Sequence, residues 1–198
     1  MINVNAMILA GGRSSRMGGP NKALIPLGDK TLIEHVIHRL QSQVDHLAIN
    51  GDLQTFATAG CPVIEDKVTN FSGPLAGLYS GLLDSRLSSA DYLLIAPCDG
   101  PFIPTNLVAE LYQLMVGQDA DIVCVCYEYV AQATFSLWHK RTATAVKNAL
   151  LRDHNGGFKP LLGALKTVYY DWPDSSVNPF FNINTPQDLT VAEKILCL

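Results

Sequence analysis

The stretch Leu9-Ala10-Gly11-Gly12-Arg13-Ser14-Ser15-Arg16-Met17-Gly18-Gly19-Pro20-Asn21-Lys22 decides how this chain is read. It follows the apolar run Val4 to Leu9, short enough for a buried strand. From Gly11 to Lys22, twelve residues hold four glycines, two arginines and a lysine. Glycines let backbone amides approach a ligand closely, and the cations supply charge that a polyphosphate demands. The loop has neither the Walker spacing G-x-x-x-x-G-K-[ST] nor the dinucleotide fingerprint G-x-G-x-x-G. A strand running into a phosphate-binding loop of another kind is therefore expected.

Outward from this loop, strands and helices alternate. Tyr92 to Ala96 is continuously apolar, as expected at the centre of a parallel sheet, and ends in Pro97-Cys98-Asp99-Gly100-Pro101. His46 to Asn50 and Pro62 to Asp66 are short strands with polar residues at their carboxyl ends. Asp121 to Cys126 is a further strand, Thr134 to Trp138 a weak one, and Phe180 to Asn184 another. Helices are predicted from Thr31 to about Ser42, from Pro74, from Asn106 to Val116 and from Thr142 to Leu151. A terminal helix starts at Thr185-Pro186-Gln187-Asp188, with Pro at its first position and Asp reaching back to the start. About six strand–helix alternations predict an α/β protein with a mostly parallel sheet and helices on both faces. No linker or repeat divides the chain, so one domain over residues 1–198 is expected.

Ligands of open parallel sheets collect at the carboxyl ends of the strands. That rim would gather Asn50, Glu65, Asp66, Asp99, Asn182 and Asn184 around the glycine loop. Asn50-Gly51 also reads as a turn, and Asp66 as a loop cap. Ser72-Gly73-Pro74-Leu75-Ala76-Gly77 reads as a helix start whose free amides face the ligand; Gly77 and Gly81 would also permit close helix-to-sheet contact. Asp99, leaving a dry strand, is a natural ligand for Mg²⁺. As a lone carboxylate it carries a desolvation cost, so Asp99→Asn is expected to spare or slightly stabilise the metal-free fold.

Composition excludes several classes. With 14 Lys and Arg against 18 Asp and Glu, the net charge of −4 argues against nucleic-acid or anionic-membrane binding. The sequence has no apolar run of eighteen residues and no signal-like start, which leads to the expectation of a cytoplasmic protein. Cys61, Cys98, Cys124, Cys126 and Cys197 are scattered, and Cys124 with Cys126 reads as core rather than a metal site.

The opening stretch resembles the signature L-A-G-G-x-x-x-R-M-G-x-x-K of nucleotidyltransferases. With Gly73-Pro74-Leu75-Ala76-Gly77, Asp99 and Asn182-Ile183-Asn184-Thr185-Pro186, the chain looks most like the molybdenum cofactor guanylyltransferases. The resemblance implies a three-layer, Rossmann-like nucleotidyltransferase fold. It implies transfer of GMP from GTP to molybdenum-bound molybdopterin, with pyrophosphate released and Mg²⁺ required. Matched position by position, Leu9, Ala10, Gly11 and Gly12 would contact the nucleotide, and Arg16 and Lys22 its phosphates. Asn50 and Asp66 would line base and ribose, Gly73 and Gly77 form the second glycine loop, and Asp99 bind the metal. Asn182 and Asn184 would lie beside metal and acceptor. Other cofactor-biosynthesis proteins or acceptor molybdoenzymes would be protein partners. Two departures stand out: Asn21 replaces the usual Asp before Lys, and Lys159 stands where some relatives carry an arginine-rich segment. Cytidylyl transfer to the same cofactor, transfer to a sugar phosphate and a non-catalytic nucleotide-binding module are the rival readings.

Overall fold

The computed structural model describes residues 3–11, 21–68, 73–151 and 156–197. Chain order runs β1 (Val4–Leu9), β2 (Pro26–Leu27), β3 (Lys30–Thr31), α1 (Leu32–Leu40), β4 (Leu47–Asn50), β5 (Val63–Ile64) and α2 (Pro74–Leu82). It continues with β6 (Tyr92–Pro97), α3 (Leu107–Gln118), β7 (Ile122–Tyr127), β8 (Val130–His139), α4 (Ala143–Leu151), α5 (Lys159–Ala164), β9 (Thr167–Asp171) and α6 (Pro186–Leu196).

Seven strands form one sheet in the order β5-β4-β1-β6-β8-β7-β9. Every pairing is parallel except those of β8 with β6 and β7. The largely apolar run of β1 follows from burial on both faces; its one polar residue, Asn5, donates to Leu87 O at 2.8 Å and Ser89 Oγ at 3.1 Å. Val4, Ala6 and Ile8 join α1 and α3 in one core, while Met7 joins α2, α4 and α5 in the other. The expected three layers are thus present. Gly77 and Gly81 do permit close packing: a methyl at Gly81 would come within 2.7 Å of Met7 Cε and 3.0 Å of Leu93 Cδ2.

Three elements depart from expectation. The weak strand at Thr134 is the ten-residue β8, whose register shifts opposite Cys124 and Val125. Its alternation is broken by that irregularity. Phe180–Asn184 joins no strand ladder; Ile183 donates its amide to the Asp99 carbonyl at 2.9 Å instead. β9, where the sequence predicts no strand, forms one edge of the sheet beside β7. Thr185 caps α6 as expected, with Asp188 returning to the Thr185 amide at 2.8 Å. No helix among the described residues is long and apolar enough to cross a membrane.

Candidate functional site

The site begins where β1 stops. Ala10 donates its amide to the Asn50 carbonyl at 2.8 Å, and Cys98 donates to the Leu9 carbonyl at 3.1 Å. Leu9 and Ala10 are thereby held between β4 and β6, a fixed floor at the carboxyl rim. A cavity of about 440 Å³ lined by Asp45, His46, Leu87 and Ser89 lies at the opposite, amino end of these strands. None of the predicted site residues lines it.

On one flank, Asn50 is almost fully buried and donates through Nδ2 to Ile64 O at 3.1 Å and Asp66 Oδ1 at 2.9 Å. Both donors run inward, so Asn50 turns its carbonyl oxygen toward Gly11 and Gly77. A methyl at Gly11 would stand 3.4 Å from Asn50 Oδ1 and 4.0 Å from Asp66 Oδ2. At Gly77 it would collide with Asn50 Oδ1 and come within 2.8 Å of Leu9 Cδ2. Ser80 fixes this flank from below: it accepts the Lys67 amide at 2.9 Å and donates to Ala76 O at 2.9 Å. Sequence reasoning passed over Ser80, although one helical turn separates it from Ala76 on the buried face of α2.

The other flank gathers Lys22, Asp99 and Asn184. Asn21 caps the 3-10 turn Lys22–Leu24 by accepting the Ala23 amide at 3.1 Å. Asn serves as such a cap as well as Asp does, so this departure keeps the local fold. Lys22 Nζ forms an ion pair with Asp99 and donates to Asn184 Oδ1 at 2.7 Å. The side chains of Lys22 and Asp99 are only 15% and 16% exposed. This corrects the expectation of a lone carboxylate, because Asp99 has a counter-charge within the protein. Asn182 Oδ1 is buried without a hydrogen-bond partner among the described residues, and a methyl at Gly100 would lie 3.3 Å from it. Burial, then the charge of Asp99, pushes the Cys98 thiol up to about 12, so it stays neutral beside the site.

The helix start corrects a second expectation. Pro74 has no amide hydrogen, Ala76 donates to Gly73 O, and Leu75 donates to Gly156 O at 3.2 Å. Those amides are occupied rather than free, because the Gly156-Gly157 break folds over the start of α2. Gly73 accommodates this with φ of 132°, a conformation that favours glycine. Gly12 and Arg16 lie outside the described residues.

The donors fit a hard cation. Asp99 and Asn184 already place two oxygens on one ammonium, and Asn182 adds a buried oxygen nearby. No group of three or more Asp, Glu, His or Cys with metal-binding geometry exists among the described residues. Mg²⁺ needs none, since it commonly takes one or two carboxylates and completes its shell with phosphates and water.

A family model described as the MobA-like NTP transferase domain matches residues 6–168. The chain belongs to the MobA-like NTP transferase family. A molybdenum cofactor guanylyltransferase from Rhodopseudomonas palustris is 39% identical to this family member over 194 residues, 96% of this chain and 92% of the relative. One from Yersinia pestis is 37% identical over 197 residues, 97% and 96% of the two chains. Among solved structures, molybdopterin-guanine dinucleotide biosynthesis protein A from Archaeoglobus fulgidus superposes with TM-score 0.80 at 24% identity, over 98% of each chain. A 4-diphosphocytidyl-2C-methyl-D-erythritol synthase from Anaerococcus prevotii superposes at 0.71 with 13% identity, over 98% and 96%. At these identities the structural likeness concerns the MobA-like fold alone.

Proposed function

We propose that this chain transfers GMP from GTP to molybdenum-bound molybdopterin in the cytoplasm, releasing pyrophosphate. The observation that carries the proposal is 37–41% identity, over nearly the whole length, to relatives named molybdenum cofactor guanylyltransferase. The five cysteines are all free, which accords with a reducing compartment.

The site chemistry accords with a guanine nucleotide. Asn50 and Asp66 turn acceptor oxygens toward Gly11. A ligand edge rich in donors, such as guanine N1–H with its amino group, or ribose hydroxyls, would satisfy them. The α-phosphate would lie toward Lys22 and Asp99, where a terminal phosphate of the pterin attacks in line. Mg²⁺, when bound, neutralises charge on the phosphate oxygens. Asp99 and Asn184 would hold it, while Lys22 meets the departing pyrophosphate. Lys159 opens α5 immediately after the segment that crosses the start of α2, and offers charge for the acceptor.

Incubation with Mg²⁺, molybdenum-loaded molybdopterin and each of the four nucleoside triphosphates in turn tests the proposal. Pyrophosphate is expected with GTP; a preference for CTP would transfer the assignment to the cytidylyl reading.

Asn182→Ala tests the acceptor side. Its carbonyl oxygen, without a partner among the described residues, has most to gain from a ligand donor or a metal-bound water. Turnover should fall by about tenfold with GTP affinity nearly unchanged, one charge-assisted or neutral hydrogen bond being worth about this much. A fall in thermal stability alone would make the residue structural.

A further inference from the structure

We propose that the Lys22 ammonium occupies the cation position of this site in the nucleotide-free protein. It yields that position to the divalent metal that arrives with GTP, and only then turns to the phosphates. The inference rests on the reading of Asp99 as the metal carboxylate.

Lys22 bridges residues 77 and 162 positions away in sequence, so its contact with Asp99 and Asn184 is made by the tertiary fold. The same two oxygens are the donors best suited to a hard cation, and an ammonium already lies on both. A divalent ion that took the same two oxygens would displace Lys22, because two cations there repel each other. Displacement is mechanically simple. The backbone of Lys22 is fixed by the Asn21 cap and by Ala23, which is fully buried, whereas its four-carbon stem has rotatable bonds that can re-aim the ammonium. Another acidic group that feels Lys22 is Asp188. Its Oδ2 is committed to the Asn184 and Thr185 amides at 2.9 and 2.8 Å. A displaced Lys22 thus finds this oxygen of the neighbouring carboxylate already engaged. GTP phosphates supply a partner.

Metal and nucleotide binding are then coupled, each raising the affinity of the other by the same factor. Metal alone binds poorly because it must strand Lys22. A lysine that merely buttressed the metal carboxylate would act in the opposite sense, and its removal would weaken metal binding.

Mn²⁺ titration of the full chain, with free Mn²⁺ read by electron paramagnetic resonance, separates the two. Without nucleotide, Lys22→Gln and Lys22→Met should each bind Mn²⁺ roughly ten- to a hundredfold more tightly than wild type, the range of a charge-assisted contact no longer broken. Equal or weaker binding in both variants overturns the exchange. The underlying reading is checked separately with a non-hydrolysable GTP analogue. There, wild type should bind Mn²⁺ and Asp99→Asn should lose it. If Asp99→Asn retains it, the metal carboxylate is another residue and the exchange falls with it. If Asp99→Asn loses it while the Lys22 variants gain nothing, the site stands and the exchange alone is wrong.

Discussion

Asp99→Asn is expected to cut Mg²⁺-dependent pyrophosphate release by roughly a hundredfold or more, the scale of one lost electrostatic stabiliser. Asparagine keeps the size and one oxygen of Asp99 but removes the charge that faces the phosphates. The structure also fixes the sign of the accompanying stability change. Lys22 and Asp99 are each about 15% exposed and paired, so the substitution leaves a partly buried ammonium facing only amide oxygens. Removing one partner of such a pair costs more than the pair itself contributes. The metal-free variant should lose on the order of 1–3 kcal/mol, the cost of an unmet polar group. For a domain near 200 residues that lowers the melting temperature by roughly 2–4 °C per kcal/mol. Thermal unfolding in a chelator reads this, and assay with Mg²⁺ reads the chemistry. A variant that melts at or above wild type would return Asp99 to the lone carboxylate expected from sequence. Near-normal Mg²⁺-dependent release would place the metal elsewhere.

The contrast shows which parts of this fold are legible in the sequence. β1 and β6 are readable because burial on both faces leaves a largely apolar run, a local property. The start of α6 is readable because Thr185, Pro186 and Asp188 carry the cap within four residues. β9 is not, because Thr167–Asp171 is a half-exposed edge strand stabilised by pairing with β7. β8 is blurred by its register shift against β7. At the site, chemistry-bearing residue types were visible one at a time, but their mutual contacts were not. The partner of Asp99 lies 77 residues away, and Lys22 reaches Asn184 across 162. The carbonyl that occupies the start of α2 comes from Gly156, whose role no local pattern announces. Loop-to-loop contacts of this kind depend on how far each strand carries its exit turn, which only the assembled sheet determines.

Asn50→Asp should give the largest stability change of any single-atom exchange on the rim, with an inverted pH dependence. Asn50 is 4% exposed, and its Nδ2 donates to both Ile64 O and Asp66 Oδ1. The exchange replaces this double donor with an acceptor facing two acceptors, one of them a carboxylate. When ionised, two carboxylates at hydrogen-bond distance repel strongly, and burial adds a desolvation cost. The folded protein therefore retains a proton shared by the pair, which titrates as a unit. The new carboxyl has a folded pKa raised above its unfolded value, so the folded state binds more protons than the unfolded one between those values. Stability must then fall as pH rises through that window, the reverse of the usual carboxylate case. At pH 5 the shared proton bridges the two groups and restores part of the lost contact. At pH 7.5 the variant should be less stable than at pH 5 by on the order of 3 kcal/mol, or be unfolded outright. Wild type, measured beside it by denaturant titration at the two pH values, supplies the baseline. GTP affinity should follow the same order and weaken as pH rises, since Asn50 and Asp66 hold the flank beside Gly11 together. A variant as stable at pH 7.5 as at pH 5, with wild-type GTP affinity, would mean that the Asn50–Asp66 contact does not hold this flank.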